Sequence, residues 1–437
     1  SHTGCHVPAK GKVRALVLFI QTRNDPIPDA NWPVGQLPNW ADRYVSDVRT
    51  YFSDMSGGQL ELGLDIYPKL LVTQGTEFDY LNQKRSLGDA TRDLLRTLDD
   101  SVDFGPYDQW QAEGRAYNVL PGPDRMVEVI IQVYRSFTDK RFFAYAGVSD
   151  LAFEGYLFVD GGARMIYGGT TEYADASASG LTVAAQAGTV TNEGWAYQIT
   201  LHEFMHKLYG EGHPASIYGG LGLLSNAGGG VAMNSFERHE LGYIACKSLP
   251  LARDTVITLR DYVTTGEAAT LAVPQAPSWF FNFEYRARKS AYDTAPGKGV
   301  YIYRIYDPFS KSQKEVHPIN AGGYWQWAVD SSTGLPYRRS ADPLGGYSPH
   351  EKVVIDGKPY YVDGWNGDPQ SAFTLQRHSL NPWGNPTPDF IFSRDTVHTD
   401  LYISILAMTD STATIGIRHG APQILAISPT VAPSMAL

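Results

Sequence analysis

The stretch "YQITLHEFMHKLYGEGHP", residues 197–214, decides how this chain is interpreted. It contains His202, Glu203 and His206 in the spacing H-E-x-x-H, and a further histidine, His213, follows after a short gap. On a helix, residues i and i+4 face the same side, so the two imidazoles of the motif can point at one metal ion. Glu203 lies about a third of a turn away, where its carboxylate can reach a metal-bound water without binding the metal.

The motif lies in a predicted helix, "EGWAYQITLHEFMHKLYG", because apolar residues crowd adjacent faces and Gly210 is placed to end it. Zinc suits this arrangement, since it accepts nitrogen and oxygen ligands, keeps a position open for water and lowers the pKa of that water to about 7. The residues therefore predict a Zn²⁺ cofactor bound by His202 and His206. Glu203 would act as general base, taking the proton of the water during attack on a carbonyl.

Length and composition limit the kind of protein. With 437 residues the chain exceeds one average domain, so we expect two. The net charge is -10 and no Lys/Arg-rich run occurs, which argues against nucleic acid as a partner because a duplex-binding surface needs clustered positive charge. No apolar segment reaches the roughly 20 residues of a membrane span.

The chain begins at Ser1, which suggests that a signal peptide or a tag has been removed and predicts a secreted, extracellular protein. The two cysteines are Cys5 and Cys246. A disulfide between them fits secretion, and two free buried thiols are the alternative.

The first half of the chain alternates between strand and helix patterns. A strand is predicted at 12–22, a helix before the break at 56–58, a strand within 59–72, a helix at 87–102 and a strand at 125–135. This order indicates an α/β domain, with turns and an edge strand expected over 160–195.

The second half reads as β structure. Short alternating or β-branched runs occur at 254–262, 269–274, 279–288, 299–307, 352–364 and 401–420, separated by Gly, Pro and Asp. They predict an antiparallel β-sandwich. We therefore expect a catalytic domain at 1–249, a β-sandwich domain at 250–420, and a linker or the start of a further domain at 421–437.

The region after the second histidine resembles the metzincin class of zinc peptidases, with one extra residue. In metzincins a glycine three residues after that histidine ends the helix, and a third histidine or aspartate follows six residues after it. Here those positions hold Tyr209 and Gly212, whereas Gly210 and His213 reproduce the relation one position later. We therefore favour His213 as the third ligand.

The later segment "VAMNSFERHELGYI" offers an alternative third ligand and one more metzincin feature. Glu237 or Glu240 would bind the metal if a second helix supplied the ligand, as in thermolysin-like enzymes, although an exposed salt-bridging role on the helix is the ordinary explanation for both. Met233 follows a glycine run and precedes a short helix, expected to start with Ser235 as cap. This place corresponds to the Met-turn beneath the metal of metzincins, although methionine at such a junction is often core filler.

Together the zinc motif, this later segment and the β-rich half resemble the immune inhibitor A-like secreted bacterial metallopeptidases. Similar segments at 48–62, 100–108 and 280–307 extend the resemblance over roughly 13–418. It implies a zincin-like catalytic domain and a secreted zinc endopeptidase that acts on protein or glycoprotein substrates. We expect it to be a monomer. A catalytically inactive, glycan-binding adhesin and a zinc amidase on non-protein substrates are the alternatives.

Two secondary features of the site stay open. Family members often carry a calcium-type D-x-D-x-D-G run that is missing from "YDQWQAEGRAYNV", whereas Asp363, Asn366 and Asp368 in "DGWNGDPQ" are candidates for Ca²⁺. Turn capping explains these three residues equally well. The oxyanion of the transition state needs a further donor, for which the nearby candidates are Tyr209, Tyr218 and Tyr243.

Overall fold

The described part of the chain has a mixed α/β fold with several sheets and few helices, in agreement with the predicted α/β character. This computed structural model describes residues 7–112, 119–170, 175–210, 212–214, 221–224, 231–250, 254–307, 314–322, 327–329, 336–338, 352–355, 358–361, 371–384, 386–392 and 395–420. The helices are α1 (Ala41–Ser56), α2 (Glu77–Asn82), α3 (Leu87–Leu98), α4 (Glu193–Tyr209), α5 (Ser235–Glu240) and α6 (Tyr262–Thr265).

The strands of the first half are β1 (Gly11–Gln21), β2 (Leu60–Ile66), β3 (Leu71–Val72), β4 (Trp110–Ala112), β5 (Val119–Pro121), β6 (Ile130–Tyr134), β7 (Gly147–Val148), β8 (Tyr156–Val159), β9 (Arg164–Tyr167) and β10 (Gly180–Val183). Those of the second half are β11 (Lys247–Ser248), β12 (Thr255–Arg260), β13 (Ala268–Ala272), β14 (Trp279–Arg286), β15 (Gly299–Tyr306), β16 (Glu315–Ile319), β17 (Trp327–Val329), β18 (Pro336–Arg338), β19 (Lys352–Ile355), β20 (Lys358–Tyr361), β21 (Ser379–Leu380), β22 (Phe390–Phe392), β23 (Asp395–Val397), β24 (Leu401–Met408) and β25 (Thr412–His419).

The first half is organised around one sheet with the order β2, β1, β6, β10, β7, in which β3 also pairs with β1. All pairs are parallel except β7, which runs antiparallel to β10. Val17 and Phe19 of β1 lie in one hydrophobic core, and Leu16 and Leu18 lie in a second core on the opposite face. A parallel strand that is buried on both faces explains the continuous apolar run of β1.

Two strands lie in the interval 160–195, where turns and an edge strand were predicted. β9 pairs with β8 in a two-stranded sheet, whereas β10 is an interior strand of the main sheet between β6 and β7. The edge strand of the main sheet at this end is β7, which lies before the interval. Its two residues are too few to show the alternation by which a strand is recognised in sequence.

Helices cover both faces of the sheet. On the first face, α1 packs against α4: the Tyr44 hydroxyl lies 2.6 Å from Thr200 Oγ1, and the rings of Phe52 and Phe204 are 4.9 Å apart. On the second face, α3 contributes Leu94 to the other core. α1 ends at Gly57, whose φ of 63° is the left-handed conformation predicted by the Ser-Gly-Gly break.

The second half contains a five-stranded sheet, β11-β13-β14-β15-β16, and a four-stranded sheet, β12-β25-β24-β21. Ile257 and Ile415 of the smaller sheet share one hydrophobic core with Phe281 and Phe283 of the larger sheet. Five two-stranded sheets, β4-β5, β8-β9, β17-β18, β19-β20 and β22-β23, complete the described pairing. The finer assignment to a β-sandwich domain stays a prediction.

The two halves share buried surface. Tyr209 and Phe236 from the first half belong to the same hydrophobic core as Tyr301, Ile305 and Val316 from the second half. The boundary predicted after residue 249 therefore divides the chain between segments that are packed together.

Three further expectations concern the disulfide, the C-terminal segment and a membrane span. Cys246 is half-buried, and Cys5 lies outside the described residues, so their disulfide stays a prediction. The expected linker at 421–437 also lies outside them. No helix in the described ranges has the length and apolar character needed to cross a membrane.

Candidate metal centre

Helix α4 carries the histidine motif, and both of its ends are fixed by local chemistry. At its start the Asn192 side chain accepts a hydrogen bond from the Trp195 amide, at 3.0 Å. At its end Gly210 has φ 105° and ψ -170°, a conformation that is essentially restricted to glycine. The Gly210 amide still donates to the His206 carbonyl at 2.8 Å, so the chain leaves the helix directly after Tyr209.

The turn after α4 brings His213 beside the two motif histidines. The Nε2 atoms of His202 and His213 are 3.0 Å apart. One ligand atom from each of His202, His206 and His213 lies within 4.8 Å of the others. Two nitrogens bound tetrahedrally at roughly 2.0–2.1 Å from one Zn²⁺ ion would be about 3.4 Å apart. The three histidines can therefore hold a metal ion, and no other group of this kind occurs in the part of the chain that the structure describes.

Backbone carbonyls orient two of the imidazoles. His202 Nδ1 lies 2.7 Å from the Leu223 carbonyl oxygen, and His206 Nδ1 lies 3.0 Å from the Gly210 carbonyl oxygen. A carbonyl oxygen only accepts, so each Nδ1 donates its proton and the lone pair of each Nε2 is left for a metal. This is the usual arrangement around a metal-binding histidine.

The three imidazoles are neutral at pH 7. Burial and repulsion from His202 lower the pKa of His213 to about 4. Burial also lowers the pKa of His202, and it lowers that of His206 well below the usual range, helped by repulsion from the other two rings. Metal binding requires the neutral imidazole, so the site is in the correct protonation state.

Glu203, which follows His202 on α4, is buried, with 8% of its surface exposed. Burial, followed by repulsion from Asp150, raises the pKa of Glu203 to about 8, and the Lys207 ammonium acts in the opposite direction. The Lys207 ammonium donates to the carbonyl oxygens of Ser149 and, at 2.7 Å, of Ala178. Through these bonds α4 is held against the segments that follow β7 and precede β10.

Edge strand β7 passes directly over α4 at Glu203. A β-carbon at Gly147 would lie 3.1 Å from Glu203 Oε1 and 2.3 Å from Ile199 Cγ2. Only glycine therefore allows this approach of the strand to the helix. This contact could not be predicted from sequence, because Gly147 lies far from the motif along the chain and in a strand of two residues.

Neither alternative third ligand belongs to the three-histidine group. The Glu240 carboxylate pairs with the Lys314 ammonium at 2.7 Å. Glu237 is fully buried, and its carboxylate accepts from the amides of Leu223, Leu224 and Asn234. Both carboxylates are thus already engaged with other groups.

The start of α5 differs from the predicted cap. Asn234, rather than Ser235, is the N-cap, and it forms a capping box with Glu237. An Asn followed three residues later by Glu is a helix-start pattern that could have revealed the role of Glu237 from sequence.

The remaining predicted residues are placed as follows. Met233 is fully buried in the core shared by the two halves, and its carbonyl accepts from the Tyr262 hydroxyl at 3.1 Å. The Tyr209 ring packs on Phe236, and Tyr243 lines a pocket of about 470 Å³ to which none of the three histidines contributes. The oxyanion candidate Tyr218 and the calcium candidates Asp363, Asn366 and Asp368 lie outside the described residues.

Comparison with known proteins adds no relative. The chain matches no protein-family model, and a search of curated proteins gives no significant match. The family resemblance therefore rests on the sequence segments and motifs described above.

Proposed function

We propose that this protein is a zinc-dependent endopeptidase of metzincin-like architecture that is exported from the cell. The observation that supports this most is the convergence of His202, His206 and His213, two of which lie on the same helix as the buried residue Glu203. Three neutral nitrogen ligands with one position left for water are typical of a catalytic zinc site. A site that only stabilises a fold has no use for an additional, unbound carboxylate.

Glu203 has the properties of the general base. His202, His206 and His213 would hold a Zn²⁺ ion, which would supply a Lewis acid and a water of lowered pKa. The Glu203 carboxylate would take the proton of the attacking water and return it to the leaving amine. In the metal-free protein burial raises the pKa of Glu203 to about 8, and a nearby Zn²⁺ ion would lower it, so that the group could both accept and release a proton near neutral pH.

The sheet edge beside Glu203 supports a peptide substrate. In the described part of the sheet, β7 pairs with β10 on one side and lies at the end of the strand order. An edge strand offers unpaired amide and carbonyl groups, to which an extended peptide can add as a further strand. Because Gly147 contacts Glu203, a peptide on this edge would lie close to the general base.

The test is cleavage of casein or gelatin by the wild type, with and without a metal chelator, compared with Glu203→Gln. Loss of general base catalysis lowers the rate by roughly 10²–10⁴-fold, and the variant should retain its zinc. Glu193→Gln on the same helix is the matched control, because Glu193 pairs with Arg43 at the partly exposed start of α4. We expect its activity to be unchanged.

Three other outcomes of these assays would each contradict a different part of the proposal. Undiminished cleavage by Glu203→Gln would refute the assigned base. A zinc-loaded wild type without hydrolytic activity would refute the endopeptidase and favour a binding protein such as an adhesin. Zinc-dependent hydrolysis of small amides, with no cleavage of any protein, would favour an amidase.

A further inference from the structure

We propose that Glu237 is a positioning residue for His202, and that it acts through the peptide unit between Leu223 and Leu224. The inference deepens the proposed function, because it rests on a metal bound by the three histidines. It gives Glu237 the task of orienting a metal ligand in place of being one.

The first link joins the imidazole to the peptide. His202 Nδ1 donates to the Leu223 carbonyl oxygen at 2.7 Å, and the Leu224 amide donates to Glu237 Oε1 at 2.7 Å. The Leu223 carbonyl and the Leu224 amide belong to one planar peptide unit, in which they point in opposite directions when the bond is trans. Fixing the amide on Glu237 therefore directs the carbonyl away from Glu237 and toward His202.

The second link holds the adjacent peptide. The Leu223 amide donates to Glu237 Oε2 at 3.0 Å, so the peptide units on both sides of Leu223 are tied to the same carboxylate. Burial raises the pKa of Glu237 to about 7, against the lowering effect of the amide donors. Above that pH the acceptor is ionised, and hydrogen bonds to an ionised acceptor are roughly twice as strong as those between neutral groups. Residues 222–224 lie outside any helix or strand, so these bonds supply the order that secondary structure would otherwise give.

The third link fixes Glu237 itself. Its Oε2 atom also accepts from the Asn234 amide at 2.8 Å within the capping box. The next amide, that of Ser235, donates to Glu284 Oε2 of β14 at 2.9 Å. Glu284 is itself held by the Arg286 guanidinium at 2.6 Å and by the Tyr303 hydroxyl at 2.5 Å. The second half of the chain thereby anchors the residue that orients His202.

The test compares zinc affinity, measured by competition with a chromophoric chelator, between the wild type and Glu237→Gln. A glutamine has one acceptor oxygen for three amide donors, so at least one amide loses its partner. Loss of a group that orients a metal-bound histidine typically weakens metal binding 10- to 100-fold. Glu240→Gln is the matched control on the same helix: it breaks the pair with Lys314, and we expect less than about a threefold change in affinity.

A background without His202 separates positioning from general stability. If Glu237 acts through His202, Glu237→Gln has almost no further effect on the weaker zinc affinity of His202→Ala, so the two changes are strongly non-additive. An equal loss of zinc affinity on adding Glu237→Gln to the wild type and to His202→Ala would overturn the proposal. Wild-type zinc affinity in Glu237→Gln would also overturn it. Should Glu237→Gln not fold, Glu237→Asp retains the charge but shortens the reach, and the same comparison applies.

Failure of the proposed function would be recognised separately. The affinity measurement requires no proteolysis, so a zinc-binding but inactive protein still tests the role of Glu237. A wild type that binds no zinc would overturn both proposals.

Discussion

The Nε2 atoms of His202 and His213 lie 3.0 Å apart, although one belongs to helix α4 and the other follows the turn that ends it. Two neutral imidazoles have no charge attraction to hold them at this distance, and burial with mutual repulsion disfavours their protonation. Without a metal, an Nε2–H of the neutral His213 ring can donate to the lone pair of His202 Nε2, and a bound cation would take the place of that shared proton. The helix and the turn that follows it therefore form an arrangement that can hold a metal ion.

Replacement of His213 should weaken zinc binding more than any change in a residue that only orients a ligand. Such orienting residues contribute about 10- to 100-fold, so we expect His213→Ala to lower zinc affinity by at least about a hundredfold. His239→Ala is the control, because His239 is exposed and its Nδ1 lies 3.3 Å from the Ile244 carbonyl oxygen. Equal affinities of the two variants in a chelator competition would exclude His213 as a ligand.

Replacement of Gly147 should impair catalysis while zinc binding is retained. The new β-carbon in Gly147→Ala would overlap Ile199 and crowd Glu203, so that the strand or the carboxylate has to move. Small displacements of reacting groups are costly, and we expect kcat/KM to fall by at least about tenfold. Gly194→Ala on α4 is the control, since its nearest neighbour would be Asn192 Oδ1 at 3.6 Å. It should retain activity and gain about 0.5–1 kcal/mol in stability.

Stability of the metal-free protein should depend on pH through the histidine cluster. The folded-state pKa of His213 is about 4, below the unfolded value of 6.5. Between these values the unfolded chain binds the proton and the folded protein does not, so the free energy of unfolding decreases as the pH falls from 6.5 toward 4. Chemical unfolding of wild type and His213→Gln at pH 7 and 4.5 should show a larger loss in the wild type, by up to about 2 kcal/mol.

The comparison with His213→Gln is needed because Glu203 acts in the opposite direction. Its pKa is raised to about 8, so the folded protein holds a proton that the unfolded chain releases above pH 4.5. Protonation of Glu203 therefore stabilises the folded protein as the pH falls, and this contribution is largely the same in wild type and His213→Gln. Equal losses in both would show that His213 is not buried as a neutral group.

The link between the two halves should be costly to break. Glu284 is fully buried and joins the amide of Ser235 to Arg286 and Tyr303. Breaking a buried charge pair typically costs 3–5 kcal/mol, so we expect about this decrease in the free energy of unfolding for Glu284→Gln. Glu267→Gln, which breaks the more exposed pair with Arg260, should cost at most about 1 kcal/mol. Similar decreases in the free energy of unfolding for Glu284→Gln and Glu267→Gln in denaturant titrations would contradict the anchoring role of Glu284.

The sequence predicted those parts of the site that depend on neighbours along the chain. The α4 helix over Glu193–Tyr209 agrees with the predicted 193–210, because its cap, its apolar faces and its terminal glycine are all local signals. His213 was favoured because Gly210 and His213 repeat the metzincin spacing one position later. The structure places His213 close to the two motif histidines, and its role as a ligand stays a prediction.

The parts that sequence reasoning missed depend on contacts between distant segments. Gly147 meets Glu203 because β10 places β7 over α4, and no local pattern encodes that placement. Glu237 was considered as an exposed residue or a metal ligand. It is instead fully buried, and its carboxylate accepts hydrogen bonds from three amides in two segments. Helix α2, at Glu77–Asn82, escaped prediction because its six residues show too little periodicity.

Gly210 has a consequence for how such sites can diverge. Its φ and ψ exclude other residues, and its carbonyl also orients His206. An insertion that lengthens the helix by one residue preserves both tasks only if the glycine and the following histidine shift together. The spacing between the second and third histidines can therefore differ by one residue without loss of the turn. A search pattern written with a single fixed spacing would overlook chains of this kind.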